Sequence, residues 1–109
     1  MRVLVVALAL VGIASPSLSQ TMTACSISGV RTGWNADSFA VTTVEPIVNP
    51  ANCPTPDGYI SEKSLPGYNT YYAAALTAFI ASSPSVVVTV HNTQCFSGRP
   101  KLIGINLAR

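Results

Sequence analysis

The chain has 109 residues, six Lys and Arg against four Asp and Glu, one His and three Cys, for a net charge of +2. Charges so few and so scattered exclude a nucleic-acid binder, which displaces phosphate counterions with grouped Lys and Arg. They exclude a polybasic membrane-surface protein on the same ground, and the length is that of one domain.

The first stretch reads as a targeting segment. Met1 and Arg2 form a short basic region, residues 3–14 an apolar one, and Ser17, Leu18 and Ser19 a small-x-small cleavage site. The apolar run is too short to span a bilayer, and polar Gln20 and Thr21 follow it. Residues 1–19 are therefore expected to be a secretory signal. Residues 20–109 are expected to be a single domain, secreted or periplasmic, with no membrane span. A buried N-terminal helix is the alternative.

Residues 25–32 suit a first strand, with Ile27 and Val30 as apolar markers and Gly29 as a bend or bulge. Cys25 opens it, and residues 22–25 carry a weak lipobox likeness that would make this cysteine an acylation site. Trp34, Asn35 and Asp37 then supply turn chemistry. Phe39, Val41 and Thr43 alternate against Ser38, Ala40 and Thr42, a half-buried second strand. Pro46, Pro50, Pro54 and Pro56 keep residues 46–57 out of any central sheet, so this is a loop carrying Cys53. Residues 58–61 make a short third strand.

A helix follows. Tyr68, Tyr71, Tyr72, Ala75, Leu76, Phe79 and Ile80 recur at helical spacing and define one apolar face. Pro66 is tolerated in a first turn, and Pro84 ends the element by pushing its predecessor out of the α region. Val86, Val87, Val88 and Val90 predict a strand buried on both faces. Residues 91–100 read as a polar loop with Cys95, and residues 101–108 as the last strand, with Ile103, Ile105 and Leu107 on one side.

The expected fold is mainly β with one helix, in the order β-β-β-α-β-β. That is the element order of the OB-fold, a five-stranded, partly open Greek-key barrel; an open α+β sheet with the helix on one face is the alternative.

Gly67 and Tyr68 leading an Ala-rich helix, the valine strand 86–90, Cys95, Gly98, Arg99 and Pro100, then Ile103, Gly104, Ile105, Asn106 and Leu107, also carry a resemblance. This second half resembles small secreted bacterial OB-fold proteins, which are similar to the B subunits of pentameric A–B toxins of the cholera and subtilase-cytotoxin kind. The resemblance implies an OB-fold, an oligomeric tendency and a binding role rather than a catalytic one.

Catalysis has little to draw on. His91 is the single histidine, and no nucleophile-elbow or protease sequence surrounds Cys25 or Ser97. The four carboxylates are scattered, one His and three separated Cys match no zinc pattern, and there is no phosphate-cradling glycine loop. No enzyme activity, metal or cofactor is expected. OB-folds bind through the second and third strands and the loops after the first and fourth. Those loops hold Trp34, Asn35 and Asp37 on one side and His91, Asn92, Thr93, Gln94, Phe96 and Arg99 on the other. Aromatic rings with amides and hydroxyls suit a saccharide, whose C–H face wants a flat apolar surface and whose hydroxyls want neutral partners. The expected function is a secreted, non-enzymatic binding module, glycan-directed and toxin-B-subunit-like. A protein-binding inhibitor or envelope-associated structural protein is the alternative, with a small hydrolase behind both.

In an OB barrel the third and fifth strands are parallel neighbours, so the loops feeding them share one end. Cys53 and Cys95 sit in those loops, which predicts a Cys53–Cys95 disulfide with Cys25 free; Cys25–Cys95 is the alternative. The helix face Ala73, Ala74, Thr77, Ala78 and Ala81 carries no charge. It would let identical chains pack as a homo-oligomer, or it is simply good helix former left in water.

Overall fold

The structure is a computed structural model, and it describes residues 19–33, 37–83 and 86–108. Of the expected signal segment 1–19, residues 1–18 lie outside these residues. The elements are β1 (Gln20–Cys25), β2 (Ile27–Thr32), β3 (Ser38–Thr43), β4 (Tyr59–Glu62), α1 (Tyr68–Ile80), β5 (Val86–Phe96) and β6 (Arg99–Leu107). The fold is mainly β with one helix, as its sequence implies.

The expected five strands are six. They form one sheet in the order β1-β5-β6-β4-β3-β2, not closed into a barrel, and every neighbouring pair is antiparallel except β4 and β6. The parallel pair is the one expected between the strand before the helix and the last strand. The additional strand is β1, which precedes the expected first strand 25–32; that strand is β2. β1 pairs with β5 and β2 with β3, and the change of partner falls at Ser26. There the chain leaves the ladder: Ser26 N–H donates to Glu45 Oε1 at 2.8 Å, and Ser26 C=O accepts from Val44 N–H at 3.0 Å. Gly29 marks a register shift in β2, as its sequence position suggests.

The core lies between the sheet and α1. Phe39, Val41, Tyr59, Val86, Val88, Val90 and Leu102 meet Ala75 and Ala78 there, with Cys25 and Ile27 at the β1–β2 junction. β3 and β5 exchange the burial expected of them. Ser38 and Ala40 are buried as well as Phe39 and Val41, so over these four residues β3 is covered on both faces. β5 buries Val86, Val88 and Val90 but leaves Val87 and Thr89 half-exposed. In β6 the phase changes. Thr89 pairs with Gly104 and Val90 with Leu102, so Ile103 is an extra residue. That bulge lets Leu102 and Ile105, three apart, both reach the core.

The face of α1 is rotated from its expected one. Tyr68, Tyr71, Tyr72, Ala75 and Ala78 pack inward, whereas Phe79 and Ile80 are 42% and 77% exposed. Ala78, placed by its sequence on the outer face, is only 2% exposed, and Ala74 is half-buried. The physical reason is the closeness of helix and sheet: a methyl group fits where Phe or Ile would not. The oligomer face Ala73, Ala74, Thr77, Ala78 and Ala81 is therefore not one free surface. The helix ends at Ser82, in the left-handed region at φ 51°, with Ser83 N–H donating to Ala78 C=O at 3.0 Å and Ser82 N–H to Phe79 C=O at 3.2 Å. This is a Schellman closure.

Residues 91–100 are not a loop. β5 runs to Phe96, and the turn to β6 is two residues, Ser97 at φ 50° and Gly98 at φ 77°. Two positive φ angles are what a type I′ hairpin requires, and Phe96 accordingly pairs with Arg99. Between Val90 and Cys95 the register slips, so residues 91–94 bulge from the hairpin. The disulfide is Cys53–Cys95, and Cys25 is a buried free thiol. Among the described residues no helix is long and apolar enough to cross a membrane.

Candidate functional site

A cleft of about 350 Å³ opens between the start of α1 and the β2–β3 connection, lined by Thr32, Gly33, Asp37, Ser38, Tyr68 and Tyr72. The helix supplies both tyrosines from one face, since they are four residues apart. Their rings are held from behind: Phe39 packs against Tyr68 at 5.5 Å and against Tyr72 at 5.2 Å, both tilted. Among the described residues neither phenol hydroxyl is engaged in a hydrogen bond. Burial, and then the Asp37 charge, pushes the Tyr68 phenol above its ordinary range, so it stays a donor.

Asp37 and Ser38 are set by the strand ends. Lys63 N–H donates to Asp37 C=O at 3.1 Å, and the Lys63 ammonium lies 3.2 Å from Asp37 Oδ2, both side chains mostly in water. Ser38 Oγ donates to Gly33 C=O at 2.6 Å, and Gly33 N–H donates to Ser38 C=O at 3.2 Å, which closes the base of the β2–β3 connection. Trp34 and Asn35, expected in this site, lie outside the described residues.

The other expected residues sit elsewhere on the fold. On the face of the β5–β6 hairpin, Lys101 Nζ lies 4.7 Å from the centre of the Phe96 ring and donates to Gln94 Oε1 at 2.6 Å. Arg99 grips Asp57 with two bonds, Nε to Oδ1 at 2.6 Å and Nη2 to Oδ2 at 3.2 Å, and Arg31 approaches the same carboxylate at 3.6 Å. Arg99 holds the Asp57 carboxyl below its usual range. These groups largely satisfy one another.

His91 and Asn92 belong to the bulge. The amides of Thr93 and Gln94 both donate to His91 Nδ1, each at 3.1 Å, so the neutral ring carries its proton on Nε2. Asn92 N–H donates to Ser19 C=O at 2.9 Å, and the Asn92 side chain accepts from the Thr21 hydroxyl, tying the bulge to β1. The structure thus brings Gln94, Phe96 and Arg99 onto one hairpin, puts His91 and Asn92 in a bulge, and leaves Asp37 in the cleft.

Of the cleft residues only Asp37 is expected from the sequence; Thr32, Gly33 and Ser38 are not, and the spacing of Tyr68 and Tyr72 assigns them to the core. Their signal was the residue type: a buried Tyr still has a polar tip to place. Among the described residues no three His, Cys, Asp or Glu side chains are grouped to hold a metal ion. A comparison with known families finds no matching family model, and a comparison with curated proteins finds no significant match.

Proposed function

We propose that the chain is a secreted, non-enzymatic binding module on an OB-fold-like barrel, taking a saccharide in the Asp37–Tyr68–Tyr72 cleft. Strand order supports the fold half of this reading. With β1 and β2 counted as one strand bent at Ser26, a single strand stands at both ends of the order. An open sheet arranged so wraps toward a barrel, with the helix between its third and fourth strands and the third and fifth parallel. A disulfide and a signal-like segment 1–19 fit an oxidising compartment outside the cytoplasm.

The observation that carries the binding half is the cleft. Two tyrosines backed by Phe39 leave their hydroxyls unengaged beside Asp37 and Thr32. The lining is mostly polar, with the two rings as its apolar surface; a saccharide, which presents many hydroxyls and one C–H face, matches that mixture. A glycan array with the full chain, expressed through a secretory pathway, tests it against Tyr68→Phe and Tyr72→Phe. Retention of a defined glycan set, weakened in either variant, is the expected result. An empty array removes the saccharide reading. A protein-binding role is the second reading, favoured by the exposed apolar side chains Phe79, Ile80 and Leu107.

A further inference from the structure

We infer that the cleft selects an uncharged pyranose over a sugar that carries a carboxylate; this specificity rests on the saccharide reading above. Among the described residues that line it, Asp37 alone is charged. An ionised carboxylate accepts hydrogen bonds and never donates them, so the ligand group beside it has to bring O–H or N–H. The Lys63 ammonium takes Oδ2 from the solvent side, which leaves Oδ1 for a ligand.

The remaining polar groups fit the same partner. The proton of Ser38 Oγ is already given to Gly33 C=O. The donors left are the hydroxyls of Tyr68, Tyr72 and Thr32, each of which also accepts. Adjacent pyranose hydroxyls donate to Asp37 and accept from the phenols, while the C–H face of the ring lies on aromatic carbon. A uronic or sialic acid instead sets a second acceptor-only anion near Asp37. Two like charges then face each other in the cleft, and neither brings a donor to the other. Lys63, mostly hydrated and bonded to the far oxygen, offsets little of that.

The test is an NMR titration of the labelled full chain, produced through a secretory pathway, watching the Tyr68 and Tyr72 rings. Methyl glycosides of glucose, galactose, mannose and N-acetylglucosamine are compared with those of glucuronic and sialic acid, up to about 10 mM, which detects dissociation constants near 1 mM. At least one neutral glycoside should shift both rings saturably, with the acids at least about tenfold weaker. Asp37→Asn should weaken the neutral ligand by about tenfold and narrow the gap to the acids, because a charge-assisted bond becomes a neutral one. Its ion pair is exposed, so the fold should survive the change. Tyr72→Phe, which keeps the ring on Phe39, gives an independent loss of affinity. An acid bound as tightly as the neutral sugars overturns the selectivity and leaves saccharide binding standing. No shift with any of the sugars overturns both.

Discussion

Asn49 holds Cys53 from both sides. Its Oδ1 accepts from Cys53 N–H at 2.8 Å while its Nδ2 donates to Cys53 C=O at 2.9 Å. Asn52 N–H donates to the Asn49 carbonyl at 3.2 Å, and Asn52 itself turns the chain at φ 58°. The clip presents Cys53 to Cys95, across a sequence separation of 42 residues.

Asn49→Ala deletes both bonds of that clip and is expected to cost about 1–3 kcal/mol, since the partners are part-buried. Asn49→Asp keeps the acceptor and should cost less. Urea unfolding with the disulfide intact measures both. Breaking the disulfide by Cys53→Ala with Cys95→Ala should cost about 4 kcal/mol on the chain-entropy model, so the clip is the smaller of the two constraints.

Cys25 should be nearly inert. Desolvation by burial, and then the Glu45 charge, pushes its thiol up to about 11, and it packs in the core at the β1–β2 junction. Only the thiolate alkylates, and at pH 8 about one thiol in a thousand is ionised. Iodoacetamide should therefore label Cys25 at the rate of global opening, and 6 M urea should raise that rate by orders of magnitude. Fast labelling of the folded chain would show a looser junction than the structure has.

The parallel β4–β6 pair and the Cys53–Cys95 bridge were legible because the order of elements constrains which strands can neighbour. Other features were hidden for physical reasons. β1 was not recognised because, before Cys25, it alternates exposed and half-exposed residues and offers no apolar run. The strand from His91 to Phe96 looked like a loop because Asn92, Thr93 and Gln94 are polar, although Ser97 and Gly98 form the kind of pair that closes a two-residue hairpin. The helix phase was ambiguous because α1 has no Lys or Glu to mark its wet side. Asp37 could be assigned to a site from its turn; its partners Tyr68 and Tyr72 could not, because periodicity reports which ring is buried and not where its hydroxyl emerges.

Acid should loosen the Asp57 and Glu45 anchors first. Both carboxyls are held below their ordinary values, Asp57 chiefly by the Arg99 hydrogen bond and Glu45 chiefly by the Ser26 amide. A depressed carboxyl contributes stability that is present above its unfolded value and lost as pH falls through its folded one. The thermal midpoint should thus fall on acidification below about pH 4, and Asp57→Asn should flatten that fall. Both groups are exposed, so the effect is small at high salt. An unchanged pH profile in Asp57→Asn would mean that the Arg99 bridge does not discriminate folded from unfolded chain.

The two sides of α1 should respond oppositely to the same substitution. Ala78 is buried against the sheet and gives its carbonyl to the helix-ending bond from Ser83, whereas Ala73 and Ile80 face water. Ala78→Glu forces a carboxylate and extra volume into a packed contact, which should cost more than about 3 kcal/mol and unfold much of the chain at ambient temperature. Ala73→Glu should be neutral to within about 0.5 kcal/mol, because it adds only an exposed charge to a helix. Ile80→Glu should be equally silent in stability and should raise solubility, since it breaks the exposed apolar run with Phe79. Thermal denaturation of the three variants side by side reads the phase of the helix directly. If Ala78→Glu melted with the wild type while Ile80→Glu collapsed, α1 would sit on the sheet through its Phe79–Ile80 face, and the arrangement of the core would have to be redrawn.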